Sequence, residues 1–215
     1  MKLNLSADEV LTTTRSVRKR LDFDTLVERD VVEEALEIAL QAPTGSNRQG
    51  WHWVVVEDAA KKAAVAAVYK RNFDEYRSVP GASYAEGDSR GERQPKVIDS
   101  ASYLADNFQR VPLMVIPCLW SRLDNASVVV GAGAWGSLLP AVWSFMLALR
   151  ERGMGSAWTT IHLMNDGERE VAEILAIPFD KVTQAGLFPV AYTIGTDFKL
   201  AKREPLDKIL HWDQW

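Results

Sequence analysis

The chain has 215 residues, of which 47% are hydrophobic, so it is long enough to fold as one domain around a sizeable core. Its formal net charge of -4 argues against a nucleic-acid partner or an anionic membrane surface. With one cysteine, Cys118, and three scattered histidines, the sequence offers no intrachain disulfide and no metal cluster of usual spacing. We expect a cytoplasmic protein without a membrane partner, since no signal peptide and no run of about 20 apolar residues is evident.

The first part of the chain predicts two capped helices. Ser6 and Glu9 form a capping box for a helix from residue 7 to about residue 14. Asp30 and Glu33 form a second box, for a helix whose apolar residues recur on one face as far as Ala42.

A loop of small and polar residues follows the second helix. Pro43 ends that helix because it lacks an N–H, and the run Trp51–Val56 predicts a strand. The loop between them can lie against a flat polar ligand, although an ordinary connector has the same composition. Asp58 then predicts a third helix, from residue 59 to about residue 71.

The middle of the chain is less regular. From about Ser78 to Asp99 the sequence is rich in glycine, serine, proline and charge, which predicts a lid or a mobile surface loop. A short helix is expected over residues 102–109. Residues 111–120 predict a buried strand, whose two prolines favour an end position in the sheet or a bulge.

Residues 127–152 form the longest helical candidate. They are apolar nearly all round, which predicts burial in the core or in a subunit interface. Pro140 predicts a kink or a division, and Gly153 a C-terminal stop. Gly131–Gly136 matches the dinucleotide fingerprint G-x-G-x-x-G, but only three valines precede it, which is too short for the required strand. Close packing of helices explains these glycines better.

The last part of the chain predicts two strands, a helix and a docked tail. Residues 155–161 and 185–194 are the strand candidates, and Asn165 with Glu168 caps a helix between them. The tail from residue 196 ends in apolar residues, which usually pack against something. Strands separated by helices predict an α/β or α+β sandwich.

A second candidate phosphate site is distributed along the chain. Arg15, Ser16 and Arg18 follow the first helix, and Arg203 lies in the basic tail. Guanidinium groups bind phosphate through two hydrogen bonds, and a serine hydroxyl adds a further donor. Because exposed basic runs are usually solvated, the neighbouring small-residue loop is what favours a functional interpretation.

Four motifs in this order resemble the nitroreductase family of FMN-dependent NAD(P)H oxidoreductases. They are R-S-V-R at residues 15–18, A-P-T-G-S-N-R-Q-G-W-H-W-V-V-V at 42–56, G-M-G-S-A-W-T-T at 153–160, and the tail with Arg203-x-Pro205-Leu206 and His211-Trp212. The resemblance covers nearly the whole chain. It implies an α+β three-layer sandwich, with a central, mostly antiparallel sheet flanked by helices, in an intertwined homodimer. Residues 1–215 would be one FMN-binding domain with a lid segment at about 74–110.

The resemblance also implies the residues of two FMN sites at the subunit interface. The phosphate and ribityl chain would be held by Arg15, Ser16, Arg18 and Arg203. The partner subunit would supply Pro43, Thr44, Gly45 and Ser46 along the isoalloxazine ring, with Asn47 and Gln49 ordering the loop or touching the flavin. The segment near flavin N5 would be Trp158, Thr159 and Thr160. No catalytic side chain and no metal is assigned.

The activity that the resemblance implies is a ping-pong reaction. NAD(P)H would reduce FMN, and a small electrophilic aromatic substrate such as a nitroaromatic or quinone would reoxidise it. The alternatives are dehalogenation or flavin-consuming chemistry on the same scaffold, a protein that holds FMN without turnover, and a Rossmann-type NAD(P) binder that uses Gly131–Gly136. Thr14, Gly45 and Gly50 depart from the family pattern and leave the substrate open.

Overall fold

The computed structural model describes residues 2–79, 81, 83–84 and 88–215. Its helices are α1 Ala7–Thr13, α2 Arg29–Ala39, α3 Ala59–Ser78, α4 Ser89–Asn107, α5 Val128–Glu151 and α6 Gly167–Leu175. Its strands are β1 Trp51–Val56, β2 Leu113–Leu119, β3 Met154–Ser156, β4 Thr183–Gln184 and β5 Phe188–Tyr192. Short 3-10 turns cover residues 45–47, 108–110, 161–163 and 206–208.

The strands form one antiparallel sheet in the order β1-β2-β5-β3, and β4 pairs with the end of β2. Strand β2 therefore lies in the interior of the sheet, so the expectation of an end position is wrong. Pro117 is accommodated because the partner of β2 changes at this point, from β5 at Val115 to β4 at Cys118. The carbonyl of Pro117 accepts a hydrogen bond from the Ala185 amide (2.9 Å), so the missing N–H faces this break.

Helices cover both faces of the sheet, which makes the fold an α+β three-layer sandwich, as predicted. The alternate residues Met114 and Ile116 of β2 pack in a cluster with α3, α6 and the end of α4. Val115, on the opposite face of β2, packs with α2 and α5 through Phe145 and Leu149. Since successive strand residues point to opposite faces, β2 is buried throughout.

Two of the predicted helix caps are confirmed. The Ser6 hydroxyl accepts a hydrogen bond from the Glu9 amide (3.3 Å), and the Glu9 carboxylate accepts one from the Ser6 amide (2.8 Å). Asp58 accepts a hydrogen bond from the Lys61 amide (2.8 Å) at the start of α3, which extends beyond the predicted end to Ser78.

The other two capping boxes are wrong. Helix α2 begins at Arg29, so Asp30 lies in its first turn, and the helix ends at Ala39 rather than Ala42. Helix α6 begins at Gly167. Asn165 has a positive φ of 55° instead of the extended backbone of an N-cap, and its side-chain Nδ2 donates to the Glu75 carboxylate (2.9 Å).

The segment from Ser78 to Asp99 is not one long loop. Helix α4 begins at Ser89, where the Asp88 carboxylate accepts a hydrogen bond from the Arg90 amide (2.8 Å). Gly91 and Pro95, which predicted turns, lie inside this helix, and the short helix expected at 102–109 is its continuation. The part of the predicted lid at residues 80, 82 and 85–87 lies outside the described residues.

Helix α5 is one continuous helix, so Pro140 does not divide it, and Gly153 ends it with a positive φ of 71°. Its 24 residues and mean hydropathy of 1.5 reach the values of a membrane span, contrary to expectation. One such helix is weak evidence, because core helices meet the same criteria. Leu138, Phe145 and Leu149 of α5 are fully buried against the sheet, whereas only 22% of its most apolar stretch is buried in the single chain.

The glycines of the dinucleotide fingerprint all lie within α5. A pyrophosphate loop needs a strand, a turn and the start of a helix in that order. Gly131, Gly133 and Gly136 are inside regular helix and follow no strand directly, so the Rossmann interpretation is wrong.

Candidate active site

The Arg15–Arg18 segment runs along the edge of the sheet beside β3. Its centre is fixed by the Val17 amide, which donates to the carbonyl of Ser156 (2.8 Å). The approach requires a glycine at position 155, because an added Cβ there would lie 2.9 Å from Val17 Cβ and 2.8 Å from Thr193 Cγ2. The family-like motif at residues 153–160 thus positions the arginine motif, although the two are far apart in sequence.

Three buried polar atoms near this edge have no hydrogen-bond partner among the described residues: Arg15 Nη2, Arg150 Nη1 and Ser156 Oγ. Their side chains line one small cavity of about 10 Å³. A buried polar group without a partner is costly, and a buried cation more so. At this volume the cavity has room for one ordered water at most, which could accept hydrogen bonds from these donors.

Arg150 is a buried cation without a carboxylate partner in the described part of the chain. Its side chain comes from the last turn of α5 and is 6% exposed. Its Nε donates to Thr13 Oγ1 (3.1 Å), and its Nη2 donates to the Thr196 carbonyl (3.1 Å). Burial lowers the pKa of Arg150; the charge of Glu151 acts in the opposite direction, and the charge of Arg15 lowers the pKa again. Arg150 thus joins the segment before Arg15 to the start of the tail.

The charges of Arg203 and Arg15 act on each other, which the distributed-site hypothesis requires. The pKa of Arg15 is lowered first by burial and then by the charges of Arg203 and Arg93. Ser16 and Arg18 line an open cleft of about 490 Å³ on the same edge, and burial lowers the pKa of Arg18 as well. We call this group of basic side chains, Arg15, Arg18, Arg150 and Arg203 with Ser16 and Ser156, the arginine edge.

The Thr44–Gln49 loop is ordered largely by its own polar groups. Gln49 Nε2 donates to Asn47 Oδ1 (2.8 Å), and the Gln49 amide donates to Thr44 Oγ1 (3.3 Å). The Gly45 amide donates to Ser137 Oγ of α5 (2.9 Å). Positive φ angles at Ser46, Asn47 and Gln49 turn the backbone outward, and Pro43 before them is exposed. With Trp120 and the start of α5, the loop lines an apolar cleft of about 540 Å³.

The loop and the arginine edge lie at opposite edges of the sheet. The loop leads into β1, whereas Ser16 pairs with Ser156 outside β3. Four strand spacings separate β1 from the Arg15–Arg18 segment, which corresponds to about 19 Å across the sheet. One chain therefore does not bring the two halves of the predicted site together.

The third predicted segment, Trp158–Thr160, runs towards the interior of the sheet. Trp158 Nε1 donates to the Ala185 carbonyl (3.3 Å). The hydroxyl and the amide of Thr159 both donate to the Leu187 carbonyl, at 2.8 Å and 3.3 Å. Thr159 is thus engaged in holding the segment and does not offer these groups to a ligand. Thr160 is exposed, and its amide has no partner among the described hydrogen bonds.

Sequence reasoning missed Arg150, Ser156 and Arg93. The signal for Arg150 was a basic residue in an otherwise apolar helix, and Ser156 belongs to a motif quoted for other reasons. Arg93 lies in the segment predicted as a loop, so no helical face could be assigned to it.

The fold is an α+β three-layer sandwich, and arginine side chains gather at one edge of its antiparallel sheet. Residues 11–192 match the model of the nitroreductase family. The chain belongs to this family, and the membership makes it an oxidoreductase.

Individual relatives are distant in sequence but alike over their whole length. The chain is 27% identical to a 4-nitrobenzoate reductase from Nocardioides sp. (strain LMS-CY), with 94% of this chain and 87% of the relative covered. The crystal structure of the FMN and NADPH-dependent nitroreductase NfnB from Sphigopyxis sp. strain HMH is 23% identical, with a TM-score of 0.69 and coverage of 98% and 100%. An oxidized iodotyrosine deiodinase bound to FMN and 3-iodo-L-tyrosine is 21% identical, with a TM-score of 0.72 and coverage of 97% and 99%.

Proposed function

We propose that this chain is a homodimeric, FMN-dependent oxidoreductase. It takes a hydride from NAD(P)H and passes it in a ping-pong reaction to an electrophilic aromatic acceptor, such as a nitroaromatic or a quinone. The observation that carries the proposal is the arginine edge, where basic groups converge around partnerless buried polar atoms. Family membership and the FMN-bound neighbours support the same cofactor.

The residues of the arginine edge fit the phosphate end of FMN. Arg15, Arg18 and Arg203 supply guanidinium donors, Ser16 supplies a hydroxyl, and a phosphate dianion would relieve the repulsion between the cations. Arg150 would support these donors indirectly, because its hydrogen bonds to Thr13 and Thr196 fix the segment before Arg15 and the start of the tail. Bound FMN would supply the hydride-accepting and hydride-donating chemistry.

A second copy of the chain would complete the site. Val128, Val129 and Val130 at the start of α5 are 90%, 78% and 50% exposed, and they adjoin the Thr44–Gln49 loop. Trp212 and Trp215 in the tail are also highly exposed. Such contiguous apolar surface favours a subunit interface. In a two-fold dimer the loop of one subunit can reach the arginine edge of the other, which a single chain does not achieve.

In this arrangement the protein side chains bind and orient rather than react. Trp158 and the exposed Trp120 offer aromatic faces to a planar substrate, and the covered interface would exclude water. Holding the hydride donor and the hydride acceptor in contact accelerates the transfer, so no general acid or base is assigned. The free buried thiol of Cys118 suits the reducing cytoplasm, where we place the enzyme.

The visible spectrum of the purified protein, recorded before and after addition of NADPH without oxygen, tests this function. We expect flavin bands that bleach with NADPH and return with menadione or a nitroarene. Arg18→Ala with Arg203→Ala should lose the flavin, whereas Arg77→Ala with Arg110→Ala, on exposed sites elsewhere, should retain it. A colourless wild type that takes up no added FMN would refute the proposal, and a bound flavin that NADPH leaves oxidised would refute the NAD(P)H step.

Reductive dehalogenation is the second candidate, because the deiodinase structure resembles this fold as closely as the nitroreductase structure does. Iodide release from 3-iodotyrosine with the reduced protein would favour it. Turnover of nitroarenes without iodide release would favour the first candidate.

A further inference from the structure

Helix α4 is attached to the arginine edge at its C-terminal end. Lys19 forms an ion pair with Asp99 of the helix (2.5 Å). The rings of Phe23 and Tyr103 stack with centroids 6.3 Å apart. Ser100 lines the cleft with Arg15–Arg20. This end of α4 therefore forms one wall of the cleft.

The N-terminal end of α4 lies close to the tail. Arg90 and Asp88 form an ion pair (2.7 Å). The pKa of Arg90 is raised first by Asp88, and the charge of Glu204 raises it further. The pKa of Asp88 is lowered first by Arg90, with a smaller contribution from Lys208. The helix thus runs from the tail that carries Arg203 to the turn that follows Arg15.

Arg93 lies between these two ends of α4, on the side of the helix that carries the cleft residue Ser100. Residues 96 and 100 follow residue 93 by three and seven positions, so all three lie on one side of the helix. At 1.5 Å per residue, Arg93 lies about 10 Å along the axis from Ser100. Its guanidinium is exposed and has no hydrogen bond or ion pair with any described residue, whereas Arg90, one turn earlier, is paired with Asp88. Its charge, with that of Arg203, also lowers the pKa of Arg15.

We propose that Arg93 is a third guanidinium ligand for the phosphate that Arg15 and Arg203 hold, and that α4 is thereby fastened over the cofactor. The inference rests on the proposed function. Arg15, Arg93 and Arg203 form no ion pair with any described carboxylate, so their charges repel each other, and a phosphate dianion reverses the sign of their interaction. Cofactor binding therefore draws α4 towards the cleft. The Lys19–Asp99 ion pair holds the C-terminal end of α4 beside the cleft beforehand.

Flavin titration of the full-length apoprotein tests this assignment, since FMN and riboflavin differ only in the phosphate. Arg93→Ala should raise the Kd for FMN about tenfold, on the scale of one charge-assisted hydrogen bond, and leave the Kd for riboflavin unchanged. Arg93→Lys should recover part of the loss, because it keeps the charge but not the two-pronged donor. Arg90→Ala is the matched control on the same helix and should bind FMN as the wild type does. The FMN affinity of Arg93→Ala should also depend less on salt concentration.

The outcomes separate this inference from the proposed function. Wild type that binds FMN, with an unchanged FMN Kd in Arg93→Ala, would overturn the role of Arg93 and leave the proposed function intact. An equal loss for FMN and riboflavin would also overturn it, because it would show a general disturbance of α4. Wild type that binds neither flavin would overturn the proposed function and this inference with it.

Discussion

Mixing two disabled variants tests whether the flavin site is shared between subunits. Arg15→Ala with Arg203→Ala removes two guanidinium groups from the arginine edge. Asn47→Ala with Gln49→Ala disrupts the loop, because it removes the 2.8 Å hydrogen bond between these side chains. All four changes are at exposed or half-buried positions, so both variants should fold. Each parent dimer then has two damaged sites.

The loop and the arginine edge of one chain lie about 19 Å apart, so each proposed site combines the loop of one subunit with the arginine edge of the other. This sharing determines how much activity should return. In a mixed two-fold dimer, one site combines both damaged halves and the other combines both intact halves. Random 1:1 pairing makes half of the dimers mixed, so about one quarter of the wild-type FMN content and activity should return. If each chain formed its own site, every site would stay damaged.

Co-expression with two different tags, followed by tandem purification, isolates the mixed dimers. These should bind FMN at about half of their sites, one of the two in each dimer. Flavin absorbance gives the occupancy, and NADPH oxidation with menadione gives the activity. Mixed dimers no more active than either parent, alongside an active dimeric wild type, would refute the shared site.

Two further predictions concern the interior. Gly155→Ala places a Cβ 2.9 Å from Val17 Cβ and should lower the free energy of unfolding by about 1–3 kcal/mol in urea titrations. Gly50→Ala, where an added Cβ meets nothing within 4 Å, is the control, and equal urea midpoints for the two variants would contradict the packing argument. His162 is fully buried, and burial lowers its pKa from 6.5 to about 4. Between pH 4 and pH 6.5 the unfolded chain therefore binds a proton at this residue that the native chain does not. Stability should therefore fall by about 2 kcal/mol between pH 7 and pH 5 from this group, and an unchanged pH dependence in His162→Gln would refute its role.

The sequence predicted best what is decided by neighbours along the chain. The Ser6 and Asp58 caps, the glycine stop at Gly153 and the buried strand β2 depend on local hydrogen bonds and on hydrophobic pattern. The cap predicted at Asn165 failed because its backbone has a positive φ, and its side-chain Nδ2 donates to Glu75, 90 residues away in sequence. Helix α4 was missed because its glycine and proline outweighed a helical face that only tertiary packing made favourable.

The candidate site also has one part that local sequence predicts and another that depends on tertiary contacts. Motif order along the chain predicted Arg15 and Arg203 as phosphate ligands, which stays a prediction, and the charge of Arg203 lowers the pKa of Arg15. Arg150 and Ser156 reach the same place through α5 and β3, so their convergence follows from sheet topology and not from any spacing in sequence. The burial of Thr159 likewise depends on its pairing with Leu187 across the sheet. A motif can name the segment that meets a ligand, but the pairing of strands decides which of its residues face that ligand.

A site split between two sheet edges links cofactor binding to dimer formation. In the proposed arrangement a lone chain offers the phosphate donors of the arginine edge but not the ring contacts of the loop, so FMN binds the dimer far better than the monomer. A ligand at 100 times its Kd stabilises the form that binds it by about 2.7 kcal/mol per site. With two sites, FMN would favour the dimer by about 5 kcal/mol, added to the burial of the exposed valines of α5. The proposed arrangement thus links two features of the lone chain: a second subunit would cover the exposed valines of α5, and the cofactor phosphate would offset the repulsion among the cations of the arginine edge.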